Sequence, residues 1–554
     1  MRTDWFFNGI GGPNGVKRVF MVGVGGASMN GLAELLASMG YEVSGSDRSP
    51  SESTSRLMAH GIAVSIGHDA GNIERGGAPD LVVHTAAVKR GNPELERATA
   101  LGVPTITRAE LLGRVMAAYE TSFAVAGSHG KSTTTAMLGE ILATWGRDPT
   151  ISVGADYAPI GGGMRVGCHE VFVTEACEYE DSFLALRPTV AAVTNIDFDH
   201  VDYFRDLSQL KGSFRKFARQ ASRHVVADGG DANSADVYWS LCEDERAKWL
   251  FYGAQGEPQD GRVGKGRYAA VAGGVEADSH TCPSFLLFLP RDGEGALPTS
   301  PGHGHFQPAG ACLDRLQPAG ACHDRLQFAG ACHDSLQFAG ACPDSLQFAG
   351  ACPDSMHFEE PCRINLQVVG AYNIKNALAA AAAAHAAGAP KDAITEGLAR
   401  FRGVKKRFEY LGSALGMDIV DDYAHHPSEI EPALAAARLR AHGADVWCVF
   451  QPHTYTRTKA FFKEFARAFH DATHVVLADI YAARERDPGD INSAMLAEAI
   501  RAEGVDALYI GGGFPAIAEH VAANGKPGDL VVTMGAGHAS HVADILLGRP
   551  PRQA

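Results

Sequence analysis

Basic side chains are scarce relative to acidic ones in this chain of 554 residues. Lysine and arginine number 49 against 64 aspartates and glutamates, which leaves a formal net charge of −15. Proteins that bind nucleic acid neutralise phosphates with an excess of lysine and arginine, so this balance argues against such a role. A nucleotide site remains compatible with it, because such a site needs only local positive charge.

Long apolar runs are also missing. No stretch approaches the roughly 20 residues that a membrane-spanning helix requires. The N-terminal run MRTDWFFNGIGGPNG lacks the basic start and the apolar segment of a signal peptide. We therefore expect a cytoplasmic protein that does not contact a membrane.

The eleven cysteines lack the pattern of a disulfide framework. Six of them recur every ten residues from Cys312 to Cys362, within near-copies of one decapeptide such as LQFAGACHDS and LQFAGACPDS. The repeat offers little to bury, and its cysteine spacing is not typical of zinc sites. We expect a disordered insertion at about 291–362, flanked by two hairpin arms, PSFLLFLP (283–290) and INLQVVG (364–370).

What the sequence does contain is repeated alternation of short apolar runs, turns and helical patterns. The length is too great for one hydrophobic core. We predict an α/β protein of three domains, each with a mainly parallel sheet flanked by helices. The predicted domains are 1–120 (Rossmann-like), 121–400 (a P-loop ATPase unit that carries the insertion) and 401–554 (Rossmann-like).

The segment FAVAGSHGKSTTT (123–135) predicts a phosphate-binding loop. A buried strand leads into Gly127 and Gly130, and Lys131 and Ser132 follow at the start of a helix. Backbone N–H groups and the helix N-terminus attract a phosphate, the lysine adds positive charge, and a hydroxyl can reach Mg²⁺. The first glycine of the general P-loop pattern is replaced by Val125.

The N-terminal segment KRVFMVGVG also runs into a glycine turn, and a second strand ends at Asp47 about twenty residues later. This arrangement indicates a dinucleotide-type fold whose backbone amides approach a pyrophosphate. Met29 occupies the position of the last glycine of the fingerprint. The ligand is therefore either a nicotinamide dinucleotide or another diphosphate, such as a UDP-sugar.

Acidic and imidazole groups follow several predicted strands. Glu175 ends one strand of the central segment, and His200 follows the next, in TNIDFDH. Because parallel strands bring their carboxyl ends to one edge of a sheet, these groups are expected beside the phosphate loop, where they suit Mg²⁺. In the last third, polar clusters follow strands in DDYAHHPSE and FQPHTYTRTKAF.

Taken together, these segments resemble the Mur ligase family of ATP-dependent amino-acid ligases from about Lys17 to about Gly537, the repeats excepted. The motifs that carry the resemblance are VGVGGASMNGLA, GSHGKSTTT, EACEYEDSF, TNIDFDH, GAYNIKNALAA, GVKKRFE, DDYAHHPSE, FQPHTYTRTKAF, DIYAARERDPGD and TMGAG. The resemblance implies ligation of L-alanine to UDP-N-acetylmuramate through an acyl phosphate, in peptidoglycan precursor synthesis. ATP and Mg²⁺ would be the cofactors, and the enzyme would act as a monomer or homodimer.

The resemblance also implies roles for individual residues. Catalysis would rest on Lys131, Glu175 and His200, and Ser132, Glu175 and His200 would hold Mg²⁺. ATP would contact Gly127, Ser128, His129, Gly130, Lys131, Ser132, Thr133, Asn373, Asn376, Arg407 and Asp422. The UDP-sugar would contact Gly25, Gly26 and Ser28, and the amino acid would contact Tyr423, His425, His453 and Arg457.

Three rival interpretations remain. A sister ligase of the family would add a preformed peptide to UDP-N-acetylmuramate in wall recycling. A nicotinamide dehydrogenase would use residues 19–47 but would leave the lysine loop unexplained. A non-catalytic nucleotide-binding scaffold would use the repeats as its contact surface.

Overall fold

A computed structural model describes residues 15–85, 88, 91–168, 170–254, 268–277, 282–290 and 359–551. The decapeptide repeats lie outside the described residues, as do Ala86 and Ala87. Within the described part, none of the helices combines the length and the apolar character needed to cross a membrane. The described cysteines are all free thiols.

The N-terminal part forms a five-stranded parallel sheet in the order β3-β2-β1-β4-β5. Its strands are Arg18–Val22 (β1), Glu42–Asp47 (β2), Ala63–Ile66 (β3), Leu81–His84 (β4) and Thr105–Thr107 (β5). Its helices are Ala27–Ser38 (α1), Glu52–Ala59 (α2), Pro93–Ala100 (α3) and Arg108–Met116 (α4). Strand order reverses at β1, and ligands of such sheets bind at that crevice.

The central part forms a ten-stranded sheet in the order β15-β14-β13-β12-β11-β10-β6-β9-β7-β8. Its strands are Thr121–Ala126 (β6), Thr150–Tyr157 (β7), Gly162–Arg165 (β8), Val171–Glu175 (β9), Val190–Val193 (β10), His224–Asp228 (β11), Trp249–Ala254 (β12), Tyr268–Ala277 (β13), Pro283–Phe288 (β14) and Cys362–Asn365 (β15). Its helices are Lys131–Thr144 (α5), Leu207–Gln220 (α6), Ala232–Trp239 (α7), Glu243–Arg246 (α8), Tyr372–Ala386 (α9) and Lys391–Arg400 (α10). Strands β6, β9 and β10 are parallel neighbours, so their carboxyl ends meet at one edge.

The predicted hairpin arms pair as expected. Strand β14 runs antiparallel to β15, with Phe285 opposite Ile364. The intervening segment therefore joins two adjacent strands at the outer edge of the sheet. Both Phe285 and Ile364 are buried in the core.

The C-terminal part forms a six-stranded sheet in the order β16-β17-β21-β18-β19-β20, parallel except for β16. Its strands are Glu409–Ala414 (β16), Met417–Asp422 (β17), Val446–Phe450 (β18), His474–Leu477 (β19), Asp506–Tyr509 (β20) and Leu530–Met534 (β21). Its helices are Pro427–Arg440 (α11), Tyr455–Ala460 (α12), Phe462–Arg467 (α13), Ser493–Ala502 (α14), Phe514–Asn524 (α15) and Ser540–Leu546 (α16). The predicted fold class is thus confirmed.

Burial explains why the alanine-rich helix α9 forms where it does. Alanine is the best helix former, and residues 377–384 all lie within the central core. Their small side chains let α9 lie close to α5 and to the sheet. Helix α5 begins at the phosphate loop, and α9 carries Asn373 and Asn376 in its first turn and a half. Core packing therefore fixes the loop and the two asparagines relative to each other.

Candidate functional site

The phosphate loop follows β6 and depends on its glycines. Gly127 and Gly130 have φ angles of 136° and 82°, a region that favours glycine. A Cβ at Gly127 would collide with the hydroxyl of Thr194, and one at Gly130 would collide with the Asn376 amide. The backbone therefore passes closer to its neighbours than a side chain would allow.

Lys131 lies over this loop. Its Nζ donates to the carbonyl oxygens of Gly127 and Ser128, and lies 3.0 Å from Glu178 Oε2. Burial alone would lower the pKa of Lys131, but the Glu178 carboxylate outweighs burial and the pKa is raised. The ammonium group is therefore permanently charged and held at the mouth of the loop.

Glu178 is a residue that the sequence did not single out. Its side chain is 1% exposed, and Oε1 lies 3.5 Å from His200 Nε2, so Glu178 connects Lys131 with His200. Glu180 and Asp181, just after it, have φ angles of 52° and 56°. No sequence pattern indicated which of these neighbouring acidic side chains would contact Lys131.

Glu175 ends β9 and faces a different partner. Its Oε1 accepts a hydrogen bond from Gly154 N at 2.5 Å. Its charge nevertheless contributes to the field that raises the pKa of Lys131. Ser132 is buried in the first turn of α5, and His200 has a φ of 54°. The structure thus places the three expected magnesium ligands at one edge of the sheet. Glu178 lies at the same edge, in contact with His200 and Lys131.

One cavity of about 320 Å³ lies between the central and C-terminal parts. Central residues that line it include His129, Gly130, Thr133, Tyr372, Asn373 and Asn376, and C-terminal residues include Arg407, Asp422, Ser428 and Glu429. Seven of the residues expected at ATP thus line a single space, together with Tyr372. Burial raises the pKa of Asp422 to about 6, although Arg407 opposes that shift.

A second cluster joins the predicted amino-acid residues to the central part. Arg457 Nε and Nη2 donate to Asp199 Oδ1 at 3.0 and 2.8 Å, and Nη1 lies 2.8 Å from His453 Nδ1. The rings of Tyr423 and His453 flank that of His425, with centroids 5.3 and 5.7 Å away. Burial lowers the pKa of His425 to about 4, and burial together with His425 and Arg457 lowers the pKa of His453 to about 3. Both imidazoles are therefore neutral at pH 7.

His129 of the phosphate loop contacts one carboxylate of the central part and one of the C-terminal part. His129 Nε2 lies 3.1 Å from Asp197 Oδ2, and its Nδ1 lies 3.1 Å from Glu429 Oε1. Burial alone would lower the pKa of His129, but the two carboxylates outweigh burial and raise it to about 9. These contacts were not predicted, because their members are far apart in the chain.

The three residues expected to contact the UDP-sugar lie beside the N-terminal sheet, which is separate from the sheet that carries the phosphate loop. Gly25 and Gly26 follow β1, Ser28 lies in the first turn of α1, and the N–H of Gly25 donates to Asp47 Oδ2 at 2.9 Å. The structure therefore groups them at the crevice of the N-terminal sheet and not at the phosphate loop. Asp47 fixes the glycine turn through this contact.

Three profiles of one protein family match most of the described chain. They are described as "Mur ligase family, catalytic domain" at residues 18–120, "Mur ligase middle domain" at 125–273 and "Mur ligase, glutamate ligase domain" at 406–537. The chain belongs to the Mur ligase family. The expected family is thereby confirmed.

Two curated relatives cover nearly the whole chain. The UDP-N-acetylmuramate–L-alanine ligase of Acetivibrio thermocellus is 38% identical over 97% of this chain and 96% of the relative. The protein of the same name from Alkaliphilus metalliredigens is 36% identical over 96% of this chain and 97% of the relative.

Solved structures of other Mur ligases share the fold. The UDP-N-acetylmuramate–alanine ligase of Thermotoga maritima has a TM-score of 0.67 at 22% identity, covering 96% of this chain and 98% of that one. A murein peptide ligase from Psychrobacter arcticus has a TM-score of 0.61 at 20% identity, with the same coverage. At these identities the likeness concerns the fold alone.

Proposed function

We propose that this Mur ligase joins L-alanine to the carboxylate of UDP-N-acetylmuramate at the expense of ATP. The observation that carries the proposal is the cavity that the phosphate loop shares with Arg407 and Asp422 of the C-terminal part. The relatives that cover nearly the whole chain at 36–38% identity bear the name of this reaction. We also propose that the reaction takes place in the cytoplasm.

A carboxylate is a poor acyl donor because it would have to expel oxide. Transfer of the γ-phosphoryl group of ATP gives an acyl phosphate, and phosphate then leaves when the amine attacks. Catalysis of such transfers depends mainly on positioning and on stabilisation of charge. The charged ammonium of Lys131 at the mouth of the loop supplies positive charge for the transferred group.

The neutral imidazoles of His425 and His453 suit the second half of the reaction. His425 donates from Nδ1 to the Tyr423 carbonyl, so its Nε2 can accept a proton or a hydrogen bond from an ammonium group. His453 Nδ1 already accepts from Arg457, so His453 can only donate from its Nε2. Three of the five N–H groups of Arg457 donate to Asp199 and His453, and its guanidinium geometry suits a carboxylate. We propose that Tyr423, His425, His453 and Arg457 bind the amino acid.

The residues at the edge of the central sheet fit a magnesium ion. The Ser132 hydroxyl and the carboxylates of Glu175 and Glu178 are hard oxygen donors, which Mg²⁺ prefers, and His200 adds a nitrogen. We propose Ser132, Glu175 and His200 as its ligands. When bound, the ion would neutralise charge on the ATP phosphates.

The N-terminal glycine turn suits the substrate diphosphate. The N-terminus of α1 has no side-chain cap and attracts an anion, and Gly25, Gly26 and Ser28 lie there. We propose these residues for UDP-N-acetylmuramate, and Asn373 and Asn376 for the nucleotide end of ATP. We further propose that the division 1–120, 121–400 and 401–554 separates UDP-substrate, ATP and amino-acid binding.

Phosphate release tests the proposal. Purified protein is supplied with UDP-N-acetylmuramate, ATP and Mg²⁺, together with L-alanine, L-serine, glycine or an L-alanyl-γ-D-glutamyl-diaminopimelate tripeptide. We expect phosphate and a ligated product with L-alanine. A product with the tripeptide alone would instead support the peptide ligase, and absence of turnover with every acceptor would support the scaffold.

A further inference from the structure

A compact group of metal-ligating side chains lies where the central and C-terminal parts meet. His129, Asp197 and His426 each present one ligand atom, and these atoms all lie within 4.8 Å of one another. His129 belongs to the phosphate loop, Asp197 follows β10, and His426 precedes α11. None of the three coincides with the expected magnesium ligands.

The distances fit a tetrahedral arrangement. Asp197 Oδ2 lies 3.1 Å from His129 Nε2 and 3.7 Å from His426 Nδ1. Ser428 Oγ lies 2.9, 2.6 and 2.7 Å from the ligand atoms of His129, Asp197 and His426. Bonds of 2.0–2.2 Å to a tetrahedral metal place neighbouring ligands roughly 3.4 Å apart, and the His129–Asp197 and Asp197–His426 separations each lie within about 0.3 Å of that value.

The surroundings of the two histidines point to the same use. The other nitrogen of His129, Nδ1, lies 3.1 Å from Glu429 Oε1. Metal-binding histidines commonly direct their second nitrogen at a carboxylate, which fixes the ring and its tautomer. The His426 side chain is 5% exposed and packs edge-on against Phe461, with ring centroids 4.6 Å apart. Both rings are therefore held in place, and a metal that binds His129 Nε2 would displace the proton that this nitrogen carries at neutral pH.

The donor set selects the kind of ion. Two imidazoles and a carboxylate suit a zinc-type transition metal better than Mg²⁺, which prefers oxygen ligands. Asp197 is 41% exposed, which gives an ion a path from solvent. We propose that His129, Asp197 and His426 form a binding site for a divalent transition metal, with Ser428 as its neighbouring hydroxyl. A bound ion would fasten the C-terminal part to the phosphate loop.

A network of hydrogen bonds without any ion is the alternative explanation. A hydroxyl donates once and accepts twice, so three partners would satisfy Ser428 completely. The Ser428→Ala variant removes the centre of that network but keeps the three metal ligands. We expect its zinc affinity to stay within tenfold of the unaltered protein.

Metal titration of the full chain tests the proposal. Protein stripped with a chelator is titrated with Zn²⁺ against a chromophoric chelator, and with Co²⁺ by visible absorption. The cysteines also bind these metals, but thiolate ligands give a near-ultraviolet charge-transfer band that a nitrogen and oxygen site lacks. We expect one site without that band.

Two variants remove a ligand with little disturbance. Asn is isosteric with Asp at position 197, and His426→Asn keeps a good N-cap for α11. We expect Asp197→Asn and His426→Asn each to weaken the site at least tenfold, whereas His60→Asn, which alters an exposed histidine elsewhere, has no effect. Equal titrations of all four proteins, or no thiolate-free cobalt site in the unaltered chain, would overturn the proposal.

Glu429→Gln gives a second test that keeps every proposed ligand. Loss of such an orienting carboxylate usually weakens a metal site by about 10–100-fold. We expect a loss in that range, with the site still saturable at higher Zn²⁺. An unchanged affinity in this variant would contradict the geometry proposed for His129. This test holds even where a ligand variant fails to fold, because Glu429→Gln keeps every proposed ligand.

Discussion

The Arg457–Asp199 pair offers a prediction whose size can be worked out from the structure. The two side chains are only 7% and 8% exposed, and they join the C-terminal part to the central part through two hydrogen bonds. Removing one member of a buried pair leaves an uncompensated charge and typically costs about 3–5 kcal/mol. We therefore expect Asp199→Asn or Arg457→Gln alone to destabilise the protein by that amount.

The double variant should behave differently, because it buries two neutral amides in place of one lone charge. A coupling energy of about 2–3 kcal/mol is expected, near the upper end for residues in contact. The assay is urea unfolding, in which a shift of the midpoint at constant slope reports stability. Amino-acid affinity should stay impaired in the double variant, since the guanidinium is absent. Strictly additive losses of stability in the two single variants would refute the reasoning.

Three further predictions concern the phosphate loop. Lys131→Ala should lower ATP-dependent phosphate release by at least about 100-fold, as loss of a charge-stabilising donor does. Lys459→Ala, which removes an exposed ion pair with Asp490, should leave phosphate release unchanged. Gly130→Ala should weaken ATP binding in calorimetry more than Gly146→Ala, since both residues have φ near 80° but only the first faces a neighbour, Asn376. The raised pKa of His129 means that its stabilising contribution is complete below about pH 6.5 and is lost as pH rises through about 9. Urea midpoints of the unaltered protein and His129→Asn should therefore converge across that window, and midpoint curves that stay parallel would contradict this prediction. Equal ATP affinities of the two glycine variants would contradict the second prediction. Undiminished turnover by Lys131→Ala would contradict the first.

Local patterns predicted the central features of the fold. The strand, glycine turn and helix expected at 123–135 are observed as β6, the loop and α5. They could be predicted because the pattern of apolar residues and the conformational freedom of glycine act locally along the chain. The paired arms of the repeat insertion could be predicted for the same reason. The extra antiparallel strand β8, at the other edge of the sheet, carried only a weak apolar pattern and was not predicted.

The contacts between the parts could not be predicted in this way. Ser428 reaches Asp197 across 231 residues of sequence, and Arg457 reaches Asp199 across 258. Such pairs depend on how two folded domains pack against each other. The spacing of apolar residues along the chain carries no information about that packing. Glu178 was hidden for a different reason, since it is one of several acidic residues in EACEYEDSF and its contacts with Lys131 and His200 form only in the folded protein.

Oxygen transfer tests the central claim of carboxylate activation most directly. UDP-N-acetylmuramate labelled with ¹⁸O in both carboxylate oxygens is incubated with the enzyme, ATP and L-alanine, and the released phosphate is analysed by mass spectrometry. An acyl phosphate requires one carboxylate oxygen to leave with the phosphoryl group, so each phosphate formed should carry one ¹⁸O. Unlabelled phosphate formed in step with the ligated product would contradict the account.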